Sequence, residues 1–141
     1  MDLKKKYDIN SILKDKTPLF HIIEEDLVNF ADFLSLVNCG MRLAGLDIED
    51  FKSIIVGQNT VDFRTHSGEN LSKTAIEICE VLSEGSKALC IITTNKLPEN
   101  SKEIEGILDL IKDKLNVDWF FWNVYETEQT ERYKIYVLIT D

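Results

Sequence analysis

Asp47 and Asp50 are the carboxylates whose spacing most invites a chemical reading. They stand three residues apart in Leu46-Asp47-Ile48-Glu49-Asp50-Phe51-Lys52, where a helix is predicted to begin. Asp47 is placed to cap that helix and Asp50 to favour its positive end, a capping box with Asp in the place of Glu. Capping alone accounts for both residues. His21 and His66 have no Cys or His at metal-ligand spacing, and no GxSxG phrase marks an exposed serine nucleophile. Cys39, Cys79 and Cys90 lie on or beside apolar stripes and read as small buried hydrophobes. Without a CxxC pair they give neither a disulfide framework nor a zinc site. The six glycines, Gly40, Gly45, Gly57, Gly68, Gly85 and Gly106, are scattered. A phosphate cradle needs clustered backbone N–H groups at a helix start. These residues therefore predict no catalytic centre, no cofactor and no metal. The densest remaining feature is aromatic: Trp119, Phe120, Phe121 and Trp122 in succession.

The chain that must position these residues has 141 of them, 44% apolar and 29% charged, with a net charge of −9. That is the balance of one globular domain with a core of its own. The acidic surplus argues against nucleic acid, since phosphate contacts need a basic footprint. No apolar run approaches the roughly 18 residues of a membrane span, and no charged-then-apolar leader opens the chain. The expected location is the cytoplasm, with no membrane partner.

Residues 1–16 read as a polar, lysine-rich leader. Residues 17–45 read as an N-terminal helix and loop, and 46–141 as the main domain. Thr17-Pro18 resembles a helix start. Leu19, Ile23, Leu27, Phe30, Leu34 and Val37 then recur at steps of three or four and predict a helix over 18–37. Phe20, Ile22, Val28, Phe33 and Leu36 widen its apolar face beyond an ordinary stripe. The alternation of Thr60 to Thr65 predicts a half-exposed edge strand. Leu71, Ala75, Ile78, Cys79 and Leu82 give the next helix its buried stripe. Ala88 to Ile92 is apolar on both faces and belongs in mid-sheet. Ile104, Ile107, Leu108, Ile111 and Leu115 mark the helix that follows it. Val117 to Tyr125 is an aromatic strand, 126–131 a polar hairpin connection, and Tyr133 to Thr140 a last central strand. The expected fold is α+β: a mixed four-stranded sheet with a β-α-β-α-β-β core, preceded by an N-terminal helix.

From about residue 45 to 141 this order resembles the C-terminal domain of FtsZ, the bacterial relative of tubulin. The resembling phrases are Leu46 to Lys52, Ser67-Gly68-Glu69-Asn70, Ala88 to Thr93, and Val117 to Asp141 with its Val137-Leu138-Ile139-Thr140 run. The resemblance implies that the last strand inserts antiparallel between the first two. It also implies that helix 18–37 corresponds to the end of the long helix joining the two FtsZ domains. In FtsZ the loop matching Asp47 and Asp50 meets the nucleotide of the next subunit, where carboxylates polarise the attacking water. By resemblance these two residues are candidates for acting in trans. The chain also departs from the family. The glycine-rich phosphate loop is absent. Gly45 replaces an asparagine in the loop phrase, Trp122 replaces a glycine in the aromatic strand, and Asn95 replaces the glycine after the second strand. GTP turnover by the chain itself is not expected.

A C-terminal domain of this kind without its GTPase partner leaves apolar surface to be covered. Phe20, Phe33 and Leu36 lie off the main stripe of helix 18–37. Burying three such side chains is worth roughly 5–8 kcal/mol. The expected interaction surface is Phe20, Ile22, Val28, Phe33, Leu36, Trp119 and Trp122. The expected partners are a second copy, as a two-fold dimer, or an FtsZ- or tubulin-like protein. The expected role is a non-enzymatic interaction or assembly domain that modulates such polymers or serves as a dimerisation module. The alternative is a small-ligand sensor using the aromatic strand and the neighbouring sheet edge.

Overall fold

A computed structural model describes residues 19–38, 53–98 and 101–141. Five strands form one mixed sheet: β1 (Leu19–Ile22), β2 (Thr60–Gly68), β3 (Lys87–Thr94), β4 (Trp119–Glu126) and β5 (Tyr133–Thr140). Their spatial order is β1-β2-β5-β3-β4. β5 runs antiparallel to both β2 and β3, while β4 is parallel to β3 and β1 parallel to β2. The last strand thus lies between β2 and β3, as the resemblance implied. The continuous apolar character of β3 and β5 follows from burial on both faces.

Two helices cover one face: α2 (Leu71–Cys79) and α3 (Ser101–Leu115). Asn70 caps α2 by accepting from the Lys73 N–H. Asn116, at φ 50°, ends α3 with its N–H bonded to the Lys112 carbonyl. The core beneath them is mainly aliphatic, with Leu71, Ile78, Ile107, Ile111, Val137 and Ile139 prominent. The other face is covered by α1 (Leu27–Asn38) and by helical residues at 53–55. Its core is rich in rings: Phe30, Phe33, Phe63, Tyr125 and Tyr136 pack with Ile54, Ile55, Leu89 and Leu138.

The N-terminal region differs from expectation. Leu19–Ile22 is a strand, and α1 starts at Leu27 after a 3-10 turn at Glu24–Asp26. Phe20 and Ile22 alternate onto the ring-rich core, opposite Val61 and Phe63 in the parallel ladder. A strand, a tight turn and a helix in succession mimic helical spacing from Leu19 to Leu34. Ile23 is extended (ψ 152°) and breaks the continuity. The sheet accordingly has five strands, and β2, expected at the edge, lies one strand in. The predicted hairpin between β4 and β5 is also corrected, because β3 separates them. The 127–132 connection crosses the end of β3. It is tied there by Thr127 N–H to the Thr94 carbonyl (2.9 Å), Asn95 N–H to the Arg132 carbonyl (3.4 Å) and Arg132 Nη1 to Thr94 Oγ1 (2.6 Å).

Candidate functional site

Asp47 and Asp50 lie outside the described residues, as does Cys39. Among the described residues no group of three His, Cys, Asp or Glu side chains could hold a metal ion, and no helix is long and apolar enough to cross a membrane. His21 is exposed on β1, and His66 of β2 pairs with Glu77 of α2. Burial pushes the Cys79 and Cys90 thiols up, Cys90 being wholly enclosed. Both are poor nucleophiles at neutral pH.

The expected interaction residues separate into two groups. Phe33 is a core residue, with ring centroids 6.2 Å from Phe30, 5.2 Å from Phe63 and 6.1 Å from Tyr136. Phe20, Ile22 and Leu36 are half-buried against the same cluster. The wide apolar arc is thus absorbed by the sheet of the same chain. The self-association argument built on Phe20, Phe33 and Leu36 falls away, because burial here needs no second molecule. Val28 is 68% exposed, Trp119 36% and Trp122 41%. The two tryptophans lie three residues apart on β4 and so sit on opposite faces of the strand. Trp119 leans on Phe121, with centroids 5.4 Å apart.

The 127–132 crossing creates a second feature. Between α1, the end of β3 and this loop lies an open cavity of about 600 Å³. Asp32, Ser35 and Leu36 of α1 form one wall, residues 127–131 another, and Thr93, Lys134 and Tyr136 line the sheet side. Gln129 braces the loop, its Nε2 donating to the carbonyls of Thr93 (3.3 Å) and Glu131 (3.0 Å) and its Oε1 accepting from Thr127 Oγ1 (2.7 Å). Lys134 Nζ sits 5.3 Å from the centre of the Tyr136 ring. Burial is the main cause pushing the Tyr136 phenol above its ordinary value; the Asp32 and Glu131 carboxylates add to the rise, and the Thr93 hydroxyl opposes it. Thr93 is 1% exposed, its hydroxyl enclosed beside the Tyr136 phenol. Nothing in the polar 126–131 stretch announced this cavity. It exists because the loop spans a strand instead of closing a hairpin.

Solved structures share this architecture. An empty FtsZ dimer from M. jannaschii matches with a TM-score of 0.62 and 17% identity, over 83% of this chain and 37% of that chain. The fold is that of an FtsZ C-terminal domain. A W319Y mutant of M. jannaschii FtsZ matches with a TM-score of 0.62 and 15% identity, over 100% of this chain and 42% of that one. CetZ from Methanosaeta thermophila matches with a TM-score of 0.56 and 14% identity, over 82% and 38%. The chain therefore spans about two-fifths of the FtsZ structures it resembles. At these identities the FtsZ-like likeness is one of fold. No protein-family model matches the chain, and no curated protein does.

Proposed function

We propose that this chain is a non-enzymatic, cytoplasmic interaction domain with an FtsZ C-terminal-like fold, working through protein–protein contact at the β4 edge of its sheet. The observation that carries this reading is the pair of exposed tryptophans, Trp119 and Trp122, on the last strand in the sheet order. Aromatic side chains are enriched at contact surfaces, and an edge strand offers unpaired backbone groups beside them. Val28, on α1, is exposed as well. The partner is a second copy or an FtsZ- or tubulin-like protein. The 141 residues contain no glycine-rich phosphate loop, so we assign the chain no GTP turnover of its own. Asp47 and Asp50 are the residues by which it would act on a neighbouring subunit's nucleotide.

Sedimentation velocity over a wide concentration range, alone and with FtsZ, tests the reading. Concentration-dependent association, or co-sedimentation with FtsZ, that is lost in Trp119→Ser/Trp122→Ser supports it. A clean monomer at every concentration that also ignores FtsZ removes it. For the trans-acting carboxylates, GTP turnover by FtsZ is followed with added wild-type or Asp50→Ala protein. Equal rates dispose of that role.

A further inference from the structure

The outer strand β4 is open over its first half. Trp119 and Trp122 are exposed and Phe120 and Phe121 half-buried, whereas Asn123, Val124 and Tyr125 are buried. The Thr127 N–H bonds the Thr94 carbonyl at 2.9 Å and so continues the β3–β4 ladder. Bonding direction alternates along a strand, so Phe121, Asn123 and Tyr125 turn their backbone groups to β3. Phe120, Trp122 and Val124 turn theirs outward. The outward Val124 N–H is already taken, by Asn123 Oδ1 at 2.9 Å. Before the strand, the Asp118 N–H is taken by the Ser86 carbonyl at 3.0 Å. Between these two stops, the outward N–H groups of Phe120 and Trp122 have no partner among the described residues. Outer strands are ordinarily kept from pairing by Lys, Pro or a bulge. Residues 119–125 contain no charge, no proline and no glycine.

Resting on the edge-contact role stated above, we propose that the occupant of this edge is a second copy, its β4 paired antiparallel with the first about a two-fold axis at Phe121. Phe120 and Trp122 of one copy then exchange backbone hydrogen bonds with Trp122 and Phe120 of the other. Phe121 faces its own counterpart in the position without bonds. Val124 of each copy falls level with Asp118 of the other, so both strands run out of free groups at the same places. This matching of free groups and stops is what selects a second copy over an unrelated strand. Charge agrees with it. The net −9 of the chain repels a second copy, but the open stretch is neutral and no acid meets an acid across the axis, Asp118 lying level with Val124 and Glu126 with Asn116. One edge serves both copies, so the pairing closes at two. A contact this short falls below the roughly 1,200 Å² of standard interfaces, which makes the dimer transient, with a Kd on the order of 10–100 µM.

Amide hydrogen exchange of the whole chain, read by NMR between about 50 µM and about 1 mM, is the test. The Phe120 and Trp122 amides are expected to slow by at least about fivefold as concentration rises, while Phe121 and Val124, already bonded within the chain, stay as they were. In a mixture of isotope-labelled and unlabelled protein, the Phe121 Hα shows a contact with the Phe121 Hα of the second copy. Trp122→Pro removes an outward N–H that β3 does not use, and proline is tolerated at such a position. It abolishes association, whereas Trp122→Ser, which keeps the N–H, weakens it by about threefold to tenfold. Unchanged Phe121 protection confirms that the proline variant is folded, and the wild-type exchange pattern decides the matter if it is not. Association without protection of Phe120 and Trp122, or equal association by the proline and serine variants, overturns strand pairing and leaves edge contact standing. Binding to FtsZ with no self-association does the same. A monomer at every concentration that also ignores FtsZ removes both.

Discussion

Beneath α2 and α3 the sheet is packed by aliphatic side chains, whereas beneath α1 it is packed by rings, with a cavity at one corner. The two faces were also built by different routes. α2 and α3 each follow one strand and precede the next, so short crossovers bring them onto the sheet. α1 is joined to β2 through residues 39–59, and the face it covers draws on β1, β2, β3, β4 and β5. Local connections gave a face filled mainly by aliphatic side chains. A distant helix gave a face in which rings take up irregular space and polar groups line what is left.

The contrast can be broken most directly through Phe33. Phe33→Ala should cost about 3–5 kcal/mol, because the ring is fully enclosed by Phe30, Phe63 and Tyr136. Chemical denaturation measures it; a loss below about 1 kcal/mol would mean that α1 is only loosely docked. On the opposite face, Ile111→Ala should cost about 2–5 kcal/mol by the same measurement.

Alkaline titration separates the faces next, because each holds a thiol or phenol whose proton burial makes harder to remove. Cys90 belongs to the aliphatic face and Tyr136 to the ring face, and burial raises both. Above the ordinary values near 9 and 10 the unfolded chain gives up these protons while the folded chain keeps them. Stability must then fall with rising pH, at up to about 1.4 kcal/mol per pH unit for each group. Tyr136→Phe should remove the part of the loss that begins near pH 10, and Cys90→Ala the part that begins near pH 9. Denaturation midpoints between pH 8 and 11 decide this; identical slopes in all three proteins would refute it.

A smaller effect sharpens the ring packing itself. A double-mutant cycle on Phe33 and Phe63, whose centroids are 5.2 Å apart, should show coupling of about 0.5–1.5 kcal/mol. Phe33 with Ile111, across the sheet, should add to within about 0.5 kcal/mol. Least of all, Trp119→Ser/Trp122→Ser should change monomer stability by about 1 kcal/mol or less while altering association, since both side chains are already wetted.

The aliphatic face was legible in the sequence. The stripes Leu71-Ala75-Ile78 and Ile104-Ile107-Ile111 and the two-sided runs of β3 and β5 each follow one period without interruption. The resemblance to FtsZ also foretold the insertion of β5 between β2 and β3. The ring-rich face was read less well. Leu19 to Leu34 keeps helical spacing through a strand, a turn and a helix, so Phe20 and Ile22 were assigned to the wrong kind of element. Reading β1 as helix also made β2 an edge. Phe33 lies off the main helical stripe, and helix width alone does not reveal the sheet that covers it. Thr93 gave no warning at all. The two-sided apolar run ends at Ile92, yet β3 continues through Thr94 and keeps the Thr93 side chain inside.

The place of β5 governs how this molecule comes into being. β2 and β3 share no hydrogen bond with each other; residues 133–140 join them, pairing Val61 and Lys87 alike with Thr140. On the ribosome, every earlier segment emerges before the strand that unites them. The sheet cannot close until that strand arrives, and loop closure over such separations slows folding. Until then β2 and β3 offer two unmated borders, and a nascent chain must keep them from pairing with anything else.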